Sequence, residues 1–273
     1  LIKQLYKWGA LFNIAQFFYY LAVPNIKTML RSILIFGFMV MFLVIAQYTR
    51  AQTVDEIIDN YVKTIGGKEK LLAIKTIYME GARQMMGNEV AVKLTKEQGK
   101  LSRTEFEMGA GNGFFLITEK EGWSMFSMRS ASPSPMLPAA VAAMQTELDI
   151  AGPLVDYAAK GHKVELVGKE SPDGIECFKI KLTTGAGKDI FYWIDTKTNL
   201  LHQSSQKGGM GGGRGGAGAD AEIITVYSDY HEVDGILFAH TQETKGQGPA
   251  TGGTTFDKIE LNKPVDPKLY KPE

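Results

Sequence analysis

The feature that most constrains this chain is a change of period. From Thr76 onward apolar residues recur at every second position in short runs. The clearest is Glu89-Val90-Ala91-Val92-Lys93-Leu94-Thr95, where Val90, Val92 and Leu94 share one face. Comparable runs lie at about 76–84, 100–108, 113–119 and 122–128, then at about 162–168, 175–183, 188–195, 200–207, 221–231, 236–244 and 254–261. Gly87-Asn88, Gly99 and the stretch 109–113 punctuate the first set; Asp173-Gly174, Asp195 to Asn199 and Asp234-Gly235 punctuate the second. Such spacing predicts an antiparallel meander rather than β–α units. A sheet that wide must curl. The predicted class is mainly β (α+β), an unclosed antiparallel β-barrel of about 11–12 strands with an N-terminal helix and a helical lid insert.

The helical pieces carry their own signals. Val54, Ile57, Ile58, Tyr61, Val62 and Ile65 form one apolar stripe. Thr53 with Glu56 reads as a capping box, and Gly66-Gly67 as the stop. A second short helix runs from Lys68 to Ile74. The insert covers 130–161. Ser132-Pro133-Ser134-Pro135 reads as a linker, after which Leu137, Val141, Met144 and Leu148 line one helical face. Pro153 starts a further short helix with Leu154 and Tyr157 on its buried side and Gly161 beyond its end.

Residues 29–51 have the three parts of a secretory signal peptide: Met29-Leu30-Arg31, an apolar run from Ile33 to Ala46, and a small-residue end at Ala51. The run falls short of the roughly 20 residues of a spanning helix. Cleavage after Ala51 leaves Gln52 as the mature start, and no cysteine stands there to be lipidated. Trp8 to Val23 is a second apolar run; residues 1–28 read as an upstream extension outside the fold, and 52–273 as a single domain. Residues 1–51 hold five basic residues and no acidic one, which leaves 25 basic against 30 acidic in the remainder. A mildly acidic body argues against a nucleic-acid partner. Cys177, the one cysteine, excludes an intramolecular disulfide and any CxxC site.

Catalytic motifs are missing. Gly211, Gly213 and Gly216 form a formal Gly-x-Gly-x-x-Gly within 208–219, but a strand follows where a phosphate site needs a helix, so the segment reads as a flexible Gly-rich loop. No Gly-x-Ser-x-Gly elbow occurs. Cys177 reads as a packed residue. Of four histidines, His231 and His240 flank the Asp234-Gly235 turn with Asp229 and Glu232 near, which leaves a periplasmic hydrolase or metal site as one alternative. The chain otherwise reads as a non-enzyme with no cofactor and no metal. Nine methionines follow Ala51, and strands such as Phe114 to Ile117 and Ile190 to Ile194 are apolar on both faces. Such a sheet can line a lipid-sized cavity; a structural envelope protein with a filled core is the other alternative.

The order of segments is familiar. Val54 to Ile74, with Ile65-Gly66-Gly67-Lys68-Glu69, resembles the start of the periplasmic outer-membrane lipoprotein carrier and sorting (LolA-like) family. So do Gly152 to Tyr157, Gly161 to Lys169, Tyr192 to Thr196, Tyr230 to Phe238 and the ending Asn262 to Tyr270. The resemblance covers nearly all of 53–272 and implies a half-barrel whose helices lid an apolar cavity. It implies lipid binding in the periplasm, with Met79, Val92, Phe106, Phe115, Phe178 and Tyr192 in the cavity and Leu137, Val141, Met144 and Leu148 in the lid. The implied ligands are lipid or lipoprotein acyl chains, the further partners envelope membrane proteins, and the wider setting outer-membrane transport. The carrier proper latches its lid with an Arg-Pro pair. Here Lys93-Leu94-Thr95-Lys96 stands in its place, with Arg103 one strand later.

Overall fold

The computed structural model describes residues 52–85, 88–109, 111–127, 130, 132–207, 222–245 and 252–272. The residues read as an upstream extension, as a signal peptide and as a Gly-rich loop lie outside the described residues.

Helix α1 spans Val54–Thr64 and α2 Lys68–Leu72. The Thr53 side chain accepts from the Glu56 amide at 3.2 Å, and the Glu56 carboxylate accepts from the Thr53 amide at 3.0 Å. This reciprocal cap satisfies two of the amides that a helix start leaves open. Gly66, at φ 130°, ends the unit; a Cβ there would stand 2.9 Å from the Gly235 carbonyl oxygen, so only glycine admits that approach.

Thirteen strands follow among the described residues: β1 Thr76–Met85, β2 Asn88–Glu97, β3 Leu101–Met108, β4 Gly111–Thr118, β5 Gly122–Phe126, β6 Ser134–Pro135, β7 Lys163–Glu170, β8 Cys177–Thr183, β9 Asp189–Asp195, β10 Leu201–Lys207, β11 Glu222–Val233, β12 Ile236–Lys245 and β13 Gly252–Leu261. They form one sheet in the order β6-β5-β4-β3-β2-β1-β13-β12-β11-β10-β9-β8-β7. Each neighbouring pair in this order is antiparallel, and β6 and β7 remain as edges. The β1–β13 ladder is the seam between the halves, with a bulge at Glu80/Gly81. The extra strand over the expected count is β6, two residues long, inside the stretch read as a linker; Trp123 pairs with Pro135 there.

Phe106 of β3 and Phe178, Ile180 and Leu182 of β8 belong to one buried cluster although many strands separate them in the sheet. The sheet therefore curls around that face, which α1, α2, Leu154 and Val155 cover. A smaller cluster, Leu101, Phe114 and Leu116, lies on the opposite, convex face, and Val265, Leu269 and Tyr270 of the C-terminal tail pack on it.

The insert departs from expectation in two places. Helix α3, Pro138–Ala143, stops at Met144, and a 3-10 turn takes over Gln145–Leu148. The four residues therefore do not form one face: Val141 and Leu148 are buried, Met144 is half-buried, and Leu137, before the first turn, is 70% exposed. No helix starts at Pro153 either. Asp156 takes φ 54°, a left-handed conformation that breaks a right-handed helix, and the segment is a series of turns. Leu154 and Val155 are buried nonetheless.

Candidate functional site

The concave face is mostly filled. Met79 (β1), Val92 (β2), Phe106 (β3), Phe178 (β8) and Tyr192 (β9) are all buried members of one cluster. Phe115 (β4) is half-buried, its ring edge-on to Phe106 at 5.9 Å and to Phe126 at 5.2 Å. Five of these six expected residues are thus buried in one cluster, Phe115 packs against it, and Tyr192 also lines an open cavity.

That cavity holds about 230 Å³. It lies between Tyr61 of α1, Leu154 of the turns, Tyr192 of β9, Ser204 of β10 and Tyr227 of β11. Lys96, Glu147 and Asp149 complete its wall on the insert side. The Tyr227 hydroxyl and the Ser204 hydroxyl hydrogen-bond to each other at 3.0 Å, and nearby Tyr230 donates to the Leu201 carbonyl at 2.7 Å. The Tyr61 and Tyr192 hydroxyls have no hydrogen-bond partner among the described residues, yet neither is sealed from solvent-sized space. Burial pushes both phenols upward, so both are neutral donors at neutral pH. Sequence reasoning placed Tyr61 on an apolar stripe and missed Ser204, Gln206 and Tyr227. The available signal was the pair of polar residues at Ser204 and Gln206, two apart in a strand and so on one face.

Above the cavity the insert is held by polar contacts. Lys96 pairs with Glu147 at 2.8 Å. The Gly99 amide donates to the Leu148 carbonyl at 2.9 Å, and the Ile150 amide to the Gln98 side chain at 2.7 Å. Gln145 donates to the Thr118 carbonyl at 3.1 Å. Lys188, before β9, donates to the Ala143 carbonyl at 3.3 Å. The Lys96 ammonium holds the Glu147 carboxyl below its ordinary value of 4.5, so Glu147 is ionised at neutral pH. A second cavity of about 380 Å³ lies between the insert and the β4–β5 turn, lined by Trp123, Met136 and Val141 among others.

Arg103 does not take the lid role. It is 5% exposed, on the convex side: its guanidinium lies 4.3 Å over the Phe114 ring, donates to Glu105 at 3.1 Å, and donates to the Leu269 and Lys271 carbonyls at 3.2 and 2.8 Å. It pins the C-terminal tail. The contact that stands between β2 and the insert is Lys96.

His231 and His240 do meet, rings edge to face at 5.0 Å. His231 bonds Asp229 at 2.7 Å and His240 bonds the Phe256 carbonyl at 2.7 Å. Among the described residues no group of three or more His, Cys, Asp or Glu is placed to hold a metal ion. Cys177 is fully buried, and burial with Asp195 and Glu176 nearby pushes its thiol up to about 11, which leaves it protonated.

The sequence matches no protein-family model and no curated protein. Solved structures do resemble it. A DUF1329 family protein from Desulfovibrio piger superposes with a TM-score of 0.52 at 13% identity, over 81% of this chain and 98% of that one. A LolA superfamily protein from Nitrosomonas europaea gives 0.49 at 11% identity, over 81% and 99%. A putative outer membrane lipoprotein-sorting protein domain from Vibrio parahaemolyticus gives 0.48 at 10% identity, over 79% and 94%. At these identities the likeness concerns the fold. The unclosed antiparallel half-barrel that the LolA-like resemblance implied is the architecture observed.

Proposed function

We propose that the mature chain is a periplasmic carrier-like protein that binds an acyl chain on the concave face of its half-barrel, beneath the insert. One observation supports this most. An unclosed sheet curls around an apolar face, and the insert that walls one side of a cavity there is held by polar contacts as well as by its buried Leu148, Leu154 and Val155. The cavity of about 230 Å³ is smaller than the roughly 300–1,000 Å³ of typical ligand sites. In this reading loading requires the insert to lift and the side chains below it to part. Each methylene then transferred from water contributes about 0.8 kcal/mol. Holding and releasing acyl chains needs no nucleophile. Outer-membrane lipoprotein sorting is the task we assign within this reading.

The test is native mass spectrometry of the chain purified from an envelope extract, combined with titration of the delipidated protein with an uncharged fluorescent hydrophobic probe. A lipid mass adduct and saturable probe binding are expected. A bare protein mass with no saturable binding refutes the reading and leaves a structural envelope protein with a filled core.

A further inference from the structure

Period two places Lys96 on the face of β2 that carries Val90, Val92 and Leu94 into the core. It is the charged end of an apolar row. Its side chain is 15% exposed and lines the cavity of about 230 Å³ beside the insert. Among the described residues its ammonium has one acceptor, the Glu147 carboxylate at 2.8 Å. Glu147 belongs to the insert, whereas Lys96 is fixed in the sheet. A second cation reaches the same segment: Lys188, two residues before Ile190 of the cavity wall, donates to the Ala143 carbonyl at 3.3 Å. The charge of Lys96 foremost, with that of Lys188 adding to it, holds the Glu147 carboxyl below its ordinary value, so this position favours an anion. The other carboxylate of the wall, Asp149, is already engaged. Lys160 pairs with it at 2.5 Å and also donates to the Gly152 carbonyl at 2.9 Å.

Resting on the acyl-binding reading, we propose that Glu147 holds the place of the ligand's own anionic head, and that Lys96, with Lys188 beside the insert, is a subsite for the carboxylate or phosphate of a single-chain acyl amphiphile. Loading lifts the insert and takes Glu147 away, while Lys96 stays on β2. Its ammonium is then left at the wall of a partly apolar cavity without a counter-charge, which costs free energy until another anion arrives. An anionic head restores a charge-assisted bond of the same kind. An uncharged ester or amide head does not. The head therefore lies at the Lys96 end, and the apolar part of the wall, Leu154, Ile190 and Leu201, receives the chain.

The experiment is displacement of bound N-phenylnaphthylamine, an uncharged dye, by laurate, dodecyl phosphate and methyl laurate at neutral pH, in the parent chain and in Glu147→Gln and Lys96→Met. Both substitutions break the ion pair, so both should loosen the insert and move the affinity for methyl laurate in the same direction. Only Lys96→Met also removes the cation. The affinity for laurate relative to methyl laurate should therefore be about five- to thirtyfold lower in Lys96→Met than in Glu147→Gln, and that for dodecyl phosphate should fall likewise. Taking the ratio to the ester cancels the effect of opening the insert. Lys188→Met should show a smaller fall in the same ratio, and it decides the matter should Lys96→Met not fold. A fall for one anion alone supports the subsite and assigns its head chemistry. Equal ratios in Glu147→Gln and the lysine variants, with the dye still bound, overturn the subsite while the acyl-binding reading stands. If neither dye nor any acyl compound binds the parent, both fail together.

Discussion

Replacing Lys96 with methionine should loosen the insert without unfolding the barrel. The Lys96 side chain is 15% exposed and pairs at 2.8 Å with a Glu147 that is 48% exposed. A fully exposed pair contributes about 0–1 kcal/mol, and breaking a fully buried one costs about 3–5 kcal/mol. Lys96 is the more enclosed partner, while Glu147 stays hydrated after the substitution, so the cost should be about 1–2 kcal/mol. Methionine keeps the packing of the lysine stem, which confines the loss to the charge. A change of that size multiplies the opening equilibrium by roughly 5–30. Two amides report the opening directly: Gly99, which donates to the Leu148 carbonyl, and Ile150, which donates to the Gln98 side chain. Hydrogen exchange followed by mass spectrometry should show both speeding by that factor, with β8 and β9 unchanged. Acid adds a second arm. The folded-state value of Glu147 is depressed, so its contribution is complete above its ordinary 4.5 and is lost as pH falls through the folded value. The parent should therefore open only in acid, below the ordinary carboxylate range, and Lys96→Met should lose that acid response. Unchanged exchange at Gly99 and Ile150 refutes the latch. Equal acceleration in β8 and β9 refutes the lid, because insert and barrel would then unfold as one unit.

Arg103→Ala removes two bonds to tail carbonyls and a ring contact, and should cost about 2–4 kcal/mol; limited proteolysis should then clip the chain after about residue 262 before it touches the sheet. Gly81→Ala places a Cβ 1.9 Å from the Thr255 carbonyl oxygen at the seam between the two halves, and chemical denaturation should register a loss of about 3 kcal/mol or more. Leu148→Ala should cost about 2–3 kcal/mol, because Leu148 is buried, and Met144→Ala less, because Met144 is half-buried; equal costs in thermal melts contradict the packing described. Cys177 should resist a thiol reagent at pH 8 in the native protein and react at once in denaturant, since its thiol is pushed up to about 11 by burial.

The sequence by itself determined the local structure. Alternation at period two needs only the geometry of one strand, and the strand runs from Thr76 to Leu261 lie within a few residues of their expected bounds. Thr53 and Glu56 are three residues apart, so their mutual cap is legible without a tertiary fold. Asp234-Gly235, with both residues at positive φ, is a turn for the same reason. The insert was the local failure. Its four apolar residues have helical spacing, but the backbone changes to a 3-10 turn at Met144, where contacts from Thr118, Lys96 and Gly99 take hold. The site was decided only by tertiary structure. Period assigns a residue to a face, and it does not say whether that face is filled or open. Met79, Val92 and Tyr192 carry the same signal, yet the first two close the core and the third opens onto the cavity. Arg103 offers the sharpest contrast, since its partners lie 166 and 168 residues away in the tail. Which surface a buried guanidinium meets depends on how the sheet curls and where the chain end returns. Those are properties of long-range pairing, which no window of sequence contains.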